Sequence, residues 1–261
     1  MVKTVKKDDF YRQMFKLAIP IIIQNLLSAA VNSSDVIMLN YVGQSAISAV
    51  SLAANYSNIL FMVYYGLGTG ASLLCAQYFG KKNMQAIHAV EGIALRFSLA
   101  ISVLVALAAF TMPQRMLLLF TSDQELIAIG SSYIRIMGIT YLCWGVTEIY
   151  LAILRSIGRV TISMTLNMLA FGLNISVECR FYFWTVWSTE AGVTGVAIAT
   201  ASSRLIQLVA CVIVSLLSKD VKLNPAYMFI RSKTLLNDSS TFLSRHLEMT
   251  FPGVWLFPCI L

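Results

Sequence analysis

The chain has 261 residues, of which 58% are hydrophobic and only 12% charged, with a formal net charge of +7. Soluble domains carry about twice that charged fraction, so the composition excludes an ordinary soluble domain and indicates a membrane protein. Five cysteines without a CxxC pair point to neither a zinc site nor a disulfide framework. Residues 1–14 are charged and run into an apolar stretch with no small-residue cleavage site, which reads as a retained cytoplasmic lead-in. A membrane-spanning helix needs roughly 20 mostly apolar residues. Six segments qualify: 15–39, 46–75, 87–111, 127–153, 160–184 and 192–217. The breaks between them, NYVGQS, YFGKKNMQ, MPQRMLLLFTSDQE, RSIGRV and WSTEAG, have turn chemistry. The expected fold is therefore all-α and polytopic, with a six-helix lobe over 15–217 and a cytoplasmic linker over 218–238.

The charges set the orientation. Lys3, Lys6, Lys7, Arg12 and Lys16 precede the first span, Lys81 and Lys82 follow the second, and Arg155 and Arg159 follow the fourth. Lys219, Lys222, Arg231 and Lys233 follow the sixth, whereas Arg115 is the one basic residue in the alternate loops. This is the positive-inside pattern, with both ends in the cytoplasm of a multi-pass inner-membrane protein. It also explains the net charge, because these side chains lie along an anionic leaflet. A nucleic-acid partner is not expected.

The spans carry polar residues in chain order. The first has Gln24, Asn25, Asn32 and Asp35; the second has Asn55, Tyr64, Tyr65 and Gln77; the fifth has Asn167 and Asn174. Gly66, Gly68 and Gly70 suit close helix packing and need no further role. A carboxylate at membrane depth costs at least about 2.5–3.5 kcal/mol on insertion scales. Asp35 is thus either an interfacial group or a cation or proton site facing a wet cavity. His88 reads as interfacial, and Glu91 with Arg96 reads as a pair or as cavity-facing. Glu148 has no assigned role at this stage. Tyr64, Tyr65, Tyr133, Tyr141, Trp144 and Tyr150 could line a cavity for organic cations or simply pack helices. The serines lack His and Asp partners for hydrolysis, and GLGTG lacks the lysine of a phosphate loop, so no enzyme chemistry is expected.

Four stretches together resemble the multidrug and toxic compound extrusion (MATE) family of cation-coupled exporters. They are FKLAIPIIIQNLL with VNSSDVIMLNYVG, GLGTGASLLCAQYFGKKN, AILRSIGR, and LNMLAFGLNIS with GVTGVAIATASSRLIQL. The resemblance covers residues 10–236 and implies two six-helix lobes around a central cavity, of which this chain carries the N-terminal one. It implies a cation site at Asp35, Asn174 and Thr200, with Glu178 at the position four residues after Asn174. It also implies a substrate cavity reached by Gln24, Asn32, Tyr64, Gln77 and Tyr141. No cofactor is implied beyond a coupling ion, Na⁺ or H⁺. The expected substrates are small organic cations, exported by alternating access. The rivals are a non-transporting half, which pairs with itself or a second lobe or not at all, and a lipid-linked oligosaccharide flippase of the wider superfamily.

Two stretches depart from the family pattern. Residues 178–190, ECRFYFWTVWSTE, become NAVFIFGLFGAP when a codon spelling is read one base later. The tail from 239, SSTFLSRHLEMTFPGVWLFPCIL, becomes a stretch containing LSLPALGND when one base is added after Asp238. LSLP echoes LAIP at 17–20, as the start of a second repeat should. The expectation is that 239–261 is an out-of-frame tail and that Glu178 replaces a family asparagine or aspartate for the same reason.

Overall fold

A computed structural model describes residues 11, 15, 18–27, 29–30, 43–185 and 191–218. For Glu178, Cys179, residues 181–185 and residues 191–192, the helical backbone alone is described. The described chain is helical throughout: α1 (Ala18–Leu27), then α2 (Gln44–Gly80), α3 (Met84–Thr111), α4 (Pro113–Leu118), α5 (Gln124–Ser156), α6 (Val160–Thr185) and α7 (Ala191–Leu217). Five of these helices are long and apolar enough to cross a membrane. The remaining expected span, 15–39, lies partly outside the described residues. Its described part includes α1, and Asn32 and Asp35 lie outside the described residues.

Local chemistry fixes the helix ends. Lys82 adopts a left-handed φ of 56° in the turn after α2, and the Asn83 side chain caps α3 by accepting from the Ala86 N–H at 3.1 Å. Pro113 disfavours helical geometry at Met112, whose φ is −135°, so α3 stops and the short α4 begins on the proline. Asp123 caps α5 through the Glu125 N–H at 2.9 Å. Gly158, with φ of +82°, closes α5. The Arg159 N–H reaches the Leu154 carbonyl at 2.9 Å and the Gly158 N–H reaches that of Arg155 at 3.1 Å, the paired bonds of a Schellman turn. That turn reverses the chain in three residues and lays α6 against α7.

α5 is the central post, touching α2, α3, α4, α6 and α7. In its most apolar stretch 67% of residues are buried, against 33% in α7. In lipid there is little hydrophobic force between helices, so close van der Waals fit and internal hydrogen bonds hold them together. Gly145 supplies the fit. It lies against Ser98 and Ser102 of α3 and the Tyr64 ring of α2, and a Cβ there would stand 2.6 Å from the Ser98 hydroxyl. Around this seam Tyr64 meets Ser102 at 2.8 Å, and Ser98 donates to the Gly145 carbonyl at 2.8 Å. Gly68 likewise brings α2 onto Ala152 of α5. Outward-facing leucines such as Leu104, Leu107 and Leu216 are 54–72% exposed, which suits a hydrocarbon surround and would be a liability in water.

Candidate functional site

A cavity of about 970 Å³ is walled by α1, α2, α5, α6 and α7. Gly68 and Ala152, where α2 and α5 cross closely, are part of its wall. One side is aromatic. Phe61 stacks on Trp144 at 5.8 Å, and Tyr65 lies beside Phe61 at 5.8 Å. Phe61 and Tyr65 are 43% and 54% exposed, so their faces are open to a guest.

The charged lining residues among those described are Glu148, Arg155 and Arg204. Glu148 and Arg155 stand seven residues apart, two turns of one α5 face. They form a 3.0 Å ion pair near the α5–α6 turn, and Arg155 also donates to the Ser163 hydroxyl at 3.3 Å. Arg204 lies much deeper, thirteen residues from either end of α7, or about 20 Å along the axis from each. Its guanidinium sits 5.0 Å over the Trp144 ring, a cation–π placement that offsets part of the cost of burying it. It donates to Gln207 Oε1 at 3.0 Å, and Gln207 Nε2 donates to Asn167 Oδ1 at 2.7 Å.

The sequence-predicted site residues distribute as follows. Gln24 and Thr200 line the cavity, with the Thr200 hydroxyl donating to the Val196 carbonyl at 3.1 Å. Asn174 is 5% exposed in α6 and is not on the cavity wall. Glu178 is on α6 by its backbone, its side chain lying outside the described residues. Asp35 and Asn32 lie outside them altogether. Tyr64 and Tyr141 are fully buried and serve helix contacts: Tyr64 bonds Ser102, and Tyr141 meets the Ser57 hydroxyl at 3.2 Å. Gln77 is exposed, and none of Tyr64, Tyr141 and Gln77 borders the cavity. Glu91 lies 3.5 Å from His88, away from the cavity, where the spacing had suggested a pairing with Arg96. Among the described residues no group of three or more His, Cys, Asp or Glu is placed to hold a metal ion.

Sequence reading missed Arg204 and the joining of Glu148 with Arg155 on one wall, whereas Tyr65, Tyr133 and Trp144, offered as aromatics that could line a cavity, do so. Arg204 had a signal of its own: an arginine at the midpoint of an apolar helix is expensive unless it faces a cavity or a partner.

The family model MatE matches residues 20–179. The chain is 25% identical over 213 residues to the uncharacterized transporter YisQ of Bacillus subtilis, covering 80% of this chain and 46% of that protein. It is 24% identical over 217 residues to the multidrug export protein MepA of Staphylococcus aureus, covering 83% and 47% respectively. A solved MATE structure in the bent conformation superposes with a TM-score of 0.79 at 20% identity, over 90% of this chain and 52% of that one. The chain thus spans about half the length of the curated relatives it matches. With the family model covering most of the membrane helices and the fold matching over nine-tenths of its length, this multi-pass membrane protein belongs to the MatE family.

Proposed function

We propose that this chain forms one lobe of a cation-coupled exporter of drug-like organic solutes. The observation that carries the reading is the cavity itself: about 970 Å³, lined by aromatic and polar side chains, on helices whose outward faces are apolar. That volume suits a drug-sized guest. Phe61, Tyr65 and Trp144 suit the flat cationic part of such a solute, by stacking and cation–π attraction. Multidrug export is also what the printed name of the MepA relative states for that protein. In this reading Asp35 is the coupling carboxylate for Na⁺ or H⁺, with Asn174 and Thr200 assisting and both chain ends cytoplasmic. Neutralising Asp35 removes a desolvation cost and so biases a two-state helix bundle. Alternating access needs a second lobe to close the open side of the cavity, supplied by a companion segment or another copy.

The test is uptake and release of a fluorescent organic cation in proteoliposomes under an imposed Na⁺ or H⁺ gradient, with the second lobe present. Gradient-dependent efflux is expected, and Asp35→Asn should abolish the dependence. Coupled efflux that is unchanged in Asp35→Asn removes Asp35 from the role. The chain without a second lobe is expected to bind the dye and export none. Resequencing the gene across residues 170–261 decides the reading frame: single-base differences restoring NAVFIFG and LSLPALGND make Glu178 a substitute for a family asparagine. An unchanged frame makes Glu178 a genuine member of the proposed cation site.

The flippase reading gains Arg155 and Arg204 on the wall. Glu148 pairs with the first of these, so among the described residues the wall offers fewer positive groups than a lipid diphosphate calls for.

A further inference from the structure

Glu148 and Glu91 both lie within spans, and they are partnered differently. Glu148 meets Arg155 at 3.0 Å, and an arginine does not give up its proton. Glu91 is 1% exposed and lies about 10 Å into α3 from Met84. Among the described residues, neither of its oxygens accepts a hydrogen bond. Beside it stands His88, one turn earlier, with Nδ1 3.5 Å from the Glu91 Oε2. A histidine changes its charge near neutral pH, so this carboxylate answers to a partner that itself gains and loses a proton.

The surroundings leave Glu91 dependent on that partner. Ile87, Ala94 and Leu95 share its face of α3, and all three belong to one apolar cluster with Cys75 of α2, Tyr150 of α5 and Cys211 of α7. Cys75 and Tyr150 are the titratable groups of α2 and α5 within electrostatic reach of Glu91. Cys211, Ser215 and Ser218 lie next to Tyr150 on the α7 side. Arg96 follows five residues later, rotated by about 140° around the helix, and α4 with Arg115 packs at the far end of α3. Neither His88 nor Glu91 borders the cavity. An ionised carboxylate without a charged partner is strongly disfavoured in such a cluster, so Glu91 needs either a proton of its own or a charged His88.

We propose that His88 and Glu91 together bind one exchangeable proton, at a site separate from the cavity and from Asp35. The inference does not depend on the exporter reading. With the proton on His88 Nδ1, the pair is an imidazolium beside a carboxylate. When that N–H bond breaks and the proton joins Glu91 Oε2, the pair is a neutral imidazole beside a neutral acid. Both arrangements have zero net charge. Loss of the proton to water leaves a bare carboxylate in the apolar cluster, which draws water or the Tyr150 hydroxyl toward it and loosens the packing of α3 on α5. His88 is 16% exposed and lies in the second turn of α3, just after Lys81 and Lys82, so the proton enters from the water at that end of the lobe. A metal cation calls for more oxygens than Glu91 and Tyr150 offer.

Infrared pH-difference spectroscopy on the full chain in nanodiscs tests this, in the Asp35→Asn background so that Asp35 adds no signal. Spectra are compared over about pH 6 to 9, above the range where exposed carboxyls titrate. A carboxylic-acid C=O band that changes with pH is expected, lost in Glu91→Gln and displaced in His88→Gln. Should Glu91→Gln fail to fold, Glu91→Asp must displace the band instead. The absence of any band that depends on Glu91 overturns the proposal, because the carboxylate then stays ionised throughout. A Glu91 band indifferent to pH overturns it as well, since the proton is then locked in place. A pH response unchanged in His88→Gln removes the shared site.

Discussion

The two faces of α5 carry similar residues and do opposite things. Toward α2 and α3, the polar groups of the Gly145 seam are closed on one another: Ser98 donates to the Gly145 carbonyl, Ser102 to the Ser98 carbonyl, and Tyr64 bonds Ser102. Toward the cavity, Glu148, Trp144 and Thr140 meet charge, ring and open volume. At the Gly145 seam the hydroxyls of Ser98, Ser102 and Tyr64 are all engaged, and there is no room for a methyl group. The cavity face keeps an unpartnered hydroxyl at Thr140 and an ion pair that is 15–21% exposed. Polarity in a membrane helix is therefore not by itself a sign of function.

The comparison can be broken most forcefully at Gly145. Gly145→Ala places a methyl group onto the Ser98 and Ser102 hydroxyls and should cost about 1–3 kcal/mol by overpacking. Melting in detergent, followed by size-exclusion fluorescence, should show it as a marked loss of heat-resistant protein. A wild-type melt would mean that the seam is looser than its distances imply. Next in size is the Glu148–Arg155 pair. Its burial lies between the surface and interior cases, so a double-mutant cycle with Glu148→Gln and Arg155→Gln should return a coupling of about 1 kcal/mol. A coupling of zero would make it a solvated surface pair.

Tyr64→Phe deletes the phenol that bonds Ser102 and should lose about 1 kcal/mol or slightly less, because Ser102 retains its bond to the Ser98 carbonyl. The smallest effect has the opposite sign. Thr140→Val removes a buried hydroxyl with no partner, so the melt should rise slightly or stay level. The same change at Thr147, whose hydroxyl donates to the Cys143 carbonyl at 3.1 Å, should lower it. If the two threonines respond alike, the division between a closed face and an open face is wrong.

Legibility in the sequence was uneven for physical reasons. The helices at 44–80, 84–111 and 124–156 were visible because a span must be apolar for about 20 residues and must stop at turn chemistry. The Met112–Pro113 break and the Gly158 turn were equally readable. Gln24 and Thr200 were named from a family resemblance and do border the cavity. Tyr64 and Tyr141 were candidates for the same wall, and the structure turns both into helix contacts. A tyrosine in a span looks the same whether its ring faces a guest or a neighbour. Helical rotation decides, and rotation depends on where Gly68 and Gly145 allow close approach. Arg204 and Gln207, three residues apart within an apolar run, could have been flagged on cost alone. Asn167 could not, because its bond with Gln207 joins two helices.

Composition, hydropathy period and the placement of lysine and arginine settled from the sequence alone that this is an all-helical, multi-pass membrane protein, and its motifs indicated the family. Those properties are local: each span is tested against lipid by its own residues. The tertiary structure alone decided which polar side chains are closed on one another and which remain open to the cavity. Satisfaction of a hydrogen bond belongs to a pair of groups, and the pairs here join residues tens of positions apart.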